Sequence, residues 1–189
     1  GHDYHFGARG FGNAERLTEK CRALGLGCDV IGEVKLDGVT VSSTHLRTLL
    51  KDGKMEEAVR FLGHGHIISG IVQHGDCRGR TLGLPTANLA LDASLLVPAF
   101  GVYGGWADAG ELGRFPAAVN LGVHPTVHEL PHPVAEASLL GFDGDLYGRF
   151  LRLELLFQVR PERQFSSLQE LTAQIARDQQ TVLHRLTGV

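Results

Sequence analysis

From Asn13 to Gly63 apolar positions recur at helical spacing. Leu17, Cys21 and Leu24 share one face of a segment that Asn13 can cap and Gly25 can end. Cys28 to Val34 reads as a strand. Ser42 or Ser43 can cap a second helix through Leu46, Leu49 and Leu50, stopped at Gly53. Met55, Ala58, Val59 and Leu62 form a third, stopped at Gly63. After Gly63-His64-Gly65-His66 the rhythm changes to short apolar runs punctuated by glycine and proline, which suits an antiparallel barrel. Its clearest strand sets Leu151, Leu153, Leu155 and Phe157 against Arg152, Glu154 and Leu156. Ser167-Leu168-Gln169-Glu170 has the form of a capping box opening a last helix, whose Leu168, Leu171, Ile175, Val182 and Leu186 can cover the barrel. The change of rhythm predicts an α+β chain of two domains, residues 1–63 and 64–189.

Composition narrows the setting. With 189 residues, 43% hydrophobic, 21% charged and a net charge of −3, the chain reads as globular, long enough for one large or two small cores. No apolar run is long enough to span a membrane, and the first residues have neither a basic n-region nor an apolar signal core. Cys21, Cys28 and Cys77, odd in number and irregular in spacing, fit reduced thiols in the cytoplasm better than a disulfide frame. A sequence pI near 6.4 and the lack of a basic stripe argue against nucleic acid as the main partner.

The chemistry concentrates in Gly75-Asp76-Cys77-Arg78-Gly79-Arg80-Thr81-Leu82-Gly83-Leu84-Pro85-Thr86-Ala87-Asn88. Glycines let backbone N–H groups approach anionic oxygens, and Arg78 and Arg80 can neutralise them. Pro85 fixes its own φ and helps to aim the Thr86 hydroxyl and the Asn88 amide, hard oxygen ligands suited to magnesium among nucleotide phosphates. A P-loop is excluded: Gly75 and Gly79 enclose three residues rather than four, and Arg80-Thr81 follows. The competing reading is a surface turn before an edge strand at Leu89 to Leu91.

Gly83-Leu84-Pro85-Thr86-Ala87-Asn88 resembles the Gly-x-Pro-Thr-Ala-Asn motif of riboflavin kinase, the kinase half of the bacterial bifunctional riboflavin kinase/FAD synthetase. Further segments are similar in the same order: Pro98-Ala99-Phe100-Gly101-Val102-Tyr103, then Val119-Asn120-Leu121-Gly122-Val123-His124-Pro125-Thr126, then Asp145-Leu146-Tyr147-Gly148, Arg160 and Phe165. The resemblance runs from about His66 to the C-terminus. It implies a six-stranded antiparallel Greek-key β-barrel with a C-terminal helix, transferring the ATP γ-phosphate to the ribityl 5′-hydroxyl of riboflavin to give FMN and ADP. It also implies Glu136 as catalytic base, Thr86 and Asn88 as magnesium ligands, and Gly75, Arg78, Gly79, Arg80, Gly83, Pro85 and Arg160 as further contacts to the nucleotide or flavin. After Glu136 the family commonly has a histidine and an aspartate where this chain has Ser138 and Gly141.

Earlier in the chain, Gly1-His2-Asp3-Tyr4-His5-Phe6-Gly7 and Val41-Ser42-Ser43-Thr44-His45-Leu46-Arg47 are similar to segments of the FAD synthetase half. Residues 1–63 are therefore read as the remnant of a Rossmann-like FMN adenylyltransferase domain. The family's His-x-Gly-His turn is not among them: His64-Gly65-His66 would need a histidine where Gly63 stands. The chain as given is accordingly expected to make FMN but no FAD. The alternatives are a bifunctional enzyme with further sequence before Gly1, and a non-catalytic flavin- or nucleotide-binding module.

Two other sets carry weaker signals. His124, His128 and His132 have helical zinc-site spacing, but Pro125, Pro131 and Pro133 oppose a helix, so they are assigned to a loop between strands. Tyr103, Trp106, Phe115 and Phe165 can stack on a flavin ring or fill the barrel core, the core being the commoner use.

Overall fold

The computed structural model describes residues 1–73, 86–92, 95–124 and 132–188. They form two compact units, Gly1–His45 and Leu46–Val189.

The first unit carries two antiparallel ribbons, β1 (His5–Phe6) with β2 (Gly12–Asn13) and β3 (Lys35–Leu36) with β4 (Val39–Thr40), and helix α1 (Ala14–Ala23). Asn13 caps α1 as expected, its side chain accepting from the Arg16 N–H at 3.0 Å. The strand expected over Cys28 to Val34 is not formed. Its apolar character finds no ladder: His2 donates to the Ile31 carbonyl at 3.0 Å and Val41 to the Val34 carbonyl at 2.9 Å, while Val30, Ile31 and Val34 stay exposed. Nor do the ribbons make the parallel sheet of a Rossmann-like domain, since each pairs antiparallel.

The second unit is built on a closed barrel. Helix α2 (Ser43–Lys51) begins in the last residues of the first unit, where the Ser42 hydroxyl accepts from the His45 N–H at 3.2 Å, and continues into the second, in which α3 (Met55–Leu62) ends at Gly63 in the left-handed conformation that glycine tolerates. There follow β5 (His66–Gln73), β6 (Ala87–Ala90), β7 (Gly101–Asp108), β8 (Arg114–His124), β9 (His132–Leu139), β10 (Phe150–Pro161) and helix α4 (Leu168–Thr187). The order around the barrel is β10-β5-β6-β9-β8-β7, all antiparallel. In this order β7, β8 and β9 are sequential neighbours and β10 returns beside β7, which is a Greek key. Closure leaves β6 paired on both sides, so Leu89 lies within the barrel wall and not on an edge strand.

Period-two alternation sorts the walls. Leu151, Leu153 and Leu155 of β10 are fully buried, as the sequence predicts, together with Leu89, Leu121 and Ile68 from other strands. Alanines at 87, 117, 135 and 137 make room for these large neighbours and for Tyr103, and α2 and α3 add Leu49, Leu50, Met55 and Ala58 to the same core. Tyr103 is a core residue with no exposure, which decides against a flavin-stacking role. Its hydroxyl donates to the Ala99 carbonyl and accepts from Gln158 at 3.3 Å, and burial pushes its pKa up to about 12.

Glycines 104 and 105 mark close approaches in β7. A Cβ at Gly104 would fall on the Phe157 ring, and one at Gly105 on the Glu154 carbonyl oxygen of β10. The space at Gly104 admits Phe157 to a second, outer core with Ala118 and Val182. That core lies under α4, which Ser167 caps by accepting from the Glu170 N–H at 3.2 Å. The return bond of the capping box is shifted by one residue, Glu170 accepting from the Ser166 N–H at 3.1 Å. Leu168, expected on the buried face, is exposed at the first turn, while Val182 is buried.

Candidate active site

The barrel's outer face carries a polar row that follows from strand register alone. Gln73 of β5 pairs with Asn88 of β6, Asn88 with Glu136 of β9, and Glu136 with Asn120 of β8. Directly paired residues project to the same face, with Cβ atoms about 5 Å apart. The adjacent rows, Leu89-Ala135-Leu121 and Ala87-Ala137-Val119, are buried inside the barrel, so the Asn88-Glu136-Asn120 row points outward. All three are half-buried. Glu136 and Asn88, far apart in sequence, are thus brought side by side.

Thr86 leads directly into β6 and is also half-buried. With Ala87 turned into the core, Thr86 and Asn88 flank it at the i, i+2 spacing that shares a face. Their hydroxyl and amide oxygens are neutral hard donors. Such a pair fits a magnesium ion whose remaining ligands are phosphate oxygens and water, the usual mode for nucleotide-bound magnesium. Among the described residues no group of three or more His, Cys, Asp or Glu side chains could hold a metal without that help. Gly75, Arg78, Gly79, Arg80, Gly83 and Pro85 lie outside the described residues.

Arg160 has a different setting. Its Nε donates to Asp178 Oδ2 of α4 at 2.9 Å, and Gln174 satisfies Oδ1 of the same carboxylate at 2.8 Å. The pair is largely buried, the Arg160 and Asp178 side chains being 17% and 5% exposed. The Arg160 guanidinium also stands 5.4 Å from the Phe165 ring, and Arg163 4.5 Å from it. Arg160 therefore fastens α4 to β10, with the Phe165 ring against its guanidinium. No described contact brings Arg160 to Asn88 or Glu136.

Other sequence signals resolve as framework. Asp145 accepts from the Tyr147 N–H at 2.9 Å, and Gly148 donates to the Val72 carbonyl at 3.0 Å, tying that turn to β5. Trp106 lies under the Arg114 guanidinium at 5.0 Å, and Phe115 meets Phe142 edge-on at 5.1 Å. His124 closes β8 and His132 opens β9 as register partners, so both are strand residues rather than loop residues; His128 is outside the described residues. Asn120 and Gln73 were not singled out from sequence as site residues. Asn120 lies in the family-like segment Val119–Thr126, but the strand pairing is what sets it and Gln73 in one row with Asn88 and Glu136.

Residues 62–186 match the model of the riboflavin kinase (flavokinase) family, and the chain belongs to that family of phosphotransferases. It is 36% identical over 192 residues to the bifunctional riboflavin kinase/FMN adenylyltransferase of Bacillus subtilis, covering 100% of this chain and 60% of that protein. It is 39% identical over 183 residues to the protein of the same name from Escherichia coli K12, covering 96% and 57%. The chain therefore spans less than two thirds of the length of these relatives. A crystal structure of a macrolide-efflux protein from Streptococcus pneumoniae is similar with a TM-score of 0.81 and 29% identity, over 96% of this chain and 58% of that one. Among the described residues no helix is long and apolar enough to cross a membrane.

Proposed function

We propose that this chain transfers the γ-phosphoryl group of ATP to the ribityl 5′-hydroxyl of riboflavin, giving FMN and ADP, with magnesium bound by Thr86, Asn88 and the phosphates. The observation that carries this reading is the register of Asn88 beside Glu136, a metal-side amide next to a carboxylate on one outward face. Phosphoryl transfer asks mainly for positioning and charge stabilisation. The acceptor oxygen bonds to the γ-phosphorus, the bond from that phosphorus to the ADP oxygen breaks, and Glu136 takes the hydroxyl proton. Gly75, Arg78, Gly79, Arg80, Gly83 and Pro85 are proposed to wrap the triphosphate. Arg160, held by Asp178 of α4, is proposed as a further contact to the bound nucleotide or flavin.

The catalytic body is proposed to begin at His64, with residues 1–63 related to the adenylyltransferase portion of the bifunctional relatives. Support for the second part is that the Bacillus subtilis match covers all of this chain, including what precedes the kinase-family match. Riboflavin and ATP are the proposed partners, and the cytoplasm the proposed compartment, in keeping with free thiols at Cys21 and Cys28.

The test is product analysis after incubation with riboflavin, ATP and magnesium, which separates FMN, FMN with FAD, and neither. Thr86→Ala and Asn88→Ala are each expected to lower FMN formation by about 10²-fold or more, with the largest deficit at limiting magnesium and the melting temperature nearly unchanged. Near-normal rates in both variants at limiting magnesium would remove the metal assignment.

A further inference from the structure

Cys21 and Cys28 both carry free thiols, and both are half-buried. Local structure brings them together. Cys21 lies near the end of α1, and the Leu26 N–H returns to the Cys21 carbonyl at 2.8 Å, so the chain doubles back against the helix before it reaches Cys28. There Cys28 Sγ stands 3.7 Å from the hydroxyl of Thr18, which shares a face of α1 with Cys21 at i, i+3 spacing. That hydroxyl directs its own proton to the Ala14 carbonyl at 2.9 Å, and so accepts from the Cys28 thiol. The Cys21 thiol in turn makes a side-chain hydrogen bond with Cys28. Two side-chain contacts thus hold the sulfurs against each other.

We propose that Cys21 and Cys28 form a reversible redox pair, closed to a disulfide by a hydroperoxide and reopened by a small thiol. One thiolate attacks the peroxide: the O–O bond breaks, one oxygen stays on sulfur as a sulfenic acid, and the other leaves as water or an alcohol. The second thiol then attacks the sulfenic sulfur, the S–S bond forms, the S–O bond breaks, and water leaves with the proton. Two electrons pass from the sulfurs to the peroxide, and a thiol reductant returns them by exchange. Burial, and then the neighbouring Cys28, push the Cys21 pKa above its ordinary value, so the first attack falls to Cys28 and Cys21 resolves it. Closing from sulfur contact to an S–S bond takes an approach of about 2 Å. The connecting turn permits it, since a Cβ at Gly25 or Gly27 would have nothing within 4 Å, and the chain from Cys28 to Val34 is bound into no ladder. The bond closes a ring from Cys21 to Cys28 and anchors that ladder-free chain to α1.

The experiment treats the reduced full chain with hydrogen peroxide under native conditions and maps the product by trypsin digestion and mass spectrometry, before and after dithiothreitol. Cleavage after Lys20, Arg22 and Lys35 puts the two cysteines on separate peptides, 21–22 and 23–35. The expected product is these two peptides joined, lighter than their sum by two hydrogens and parted again by dithiothreitol, with Cys77 outside the bond. Amide hydrogen exchange over residues 24–34 should slow in the oxidised form. Cys21→Ser should leave Cys28 as a sulfenic acid that dimedone captures, whereas Cys28→Ser should leave Cys21 captured far less. The mapping and the exchange use the unaltered chain, so they stand whether or not either variant folds. Pairing of either cysteine with Cys77, a bond between chains, or sulfinic acids at Cys21 and Cys28 without the joined peptides would overturn the proposal. Stronger dimedone capture at Cys21 than at Cys28 would overturn the order of the two steps.

Discussion

Glu136→Gln is expected to abolish most turnover while leaving the barrel folded and riboflavin bound. The substitution keeps the shape of a half-buried side chain on β9, and the register with Asn88 and Asn120 is set by main-chain pairing that the change does not touch. What it removes is the ability to accept the hydroxyl proton. General bases contribute about 10²- to 10⁴-fold, so FMN formation should fall within that range. Calorimetry with riboflavin should show affinity close to wild type. Unchanged binding together with unchanged turnover would place the base elsewhere.

Gly105→Ala should have the largest effect on stability. The added Cβ would coincide with the Glu154 carbonyl oxygen, a backbone atom that cannot rotate away. Strand β10 cannot retreat either, because its other edge is held by β5 through pairs from Phe150–Ile71 to Leu155–His66. Relief requires parting β7 from β10, and overpacking of this kind costs about 3 kcal/mol or more. Urea denaturation should show a much lower midpoint with a similar slope. The same midpoint as wild type would mean that the two strands separate without penalty at this point.

Much of the barrel was legible because period-two alternation responds to burial on one face, as in Leu151, Leu153 and Leu155. Helix starts at Asn13, Ser42 and Ser167 were legible for a local reason: a side-chain oxygen satisfies a nearby N–H whatever the tertiary context. The segment from Cys28 to Val34 misled because β-branched residues favour extended chain but cannot supply the partner strand. In α2 and α3, periodicity says that Leu49, Leu50, Met55 and Ala58 are buried without saying against what; the structure sets them in the barrel core. Glu136 and Asn88 could be nominated from motif resemblance, but their adjacency depends on a pairing of β6 with β9 that no local pattern encodes. Asn120 was missed for the same reason. Arg160 is a motif residue that the described contacts explain as a fastening for α4.

Barrel closure through β5 and β10, the first and last of its strands, bears on how the molecule is made. During synthesis β5 emerges early and waits with its hydrogen-bonding edge open until nearly the whole domain has left the ribosome. Chains that depend on such distant pairings fold in milliseconds to seconds rather than microseconds. Through that interval the nascent chain presents unpaired strand edges to its neighbours, and its yield in the cell is set by the race between closure and aggregation.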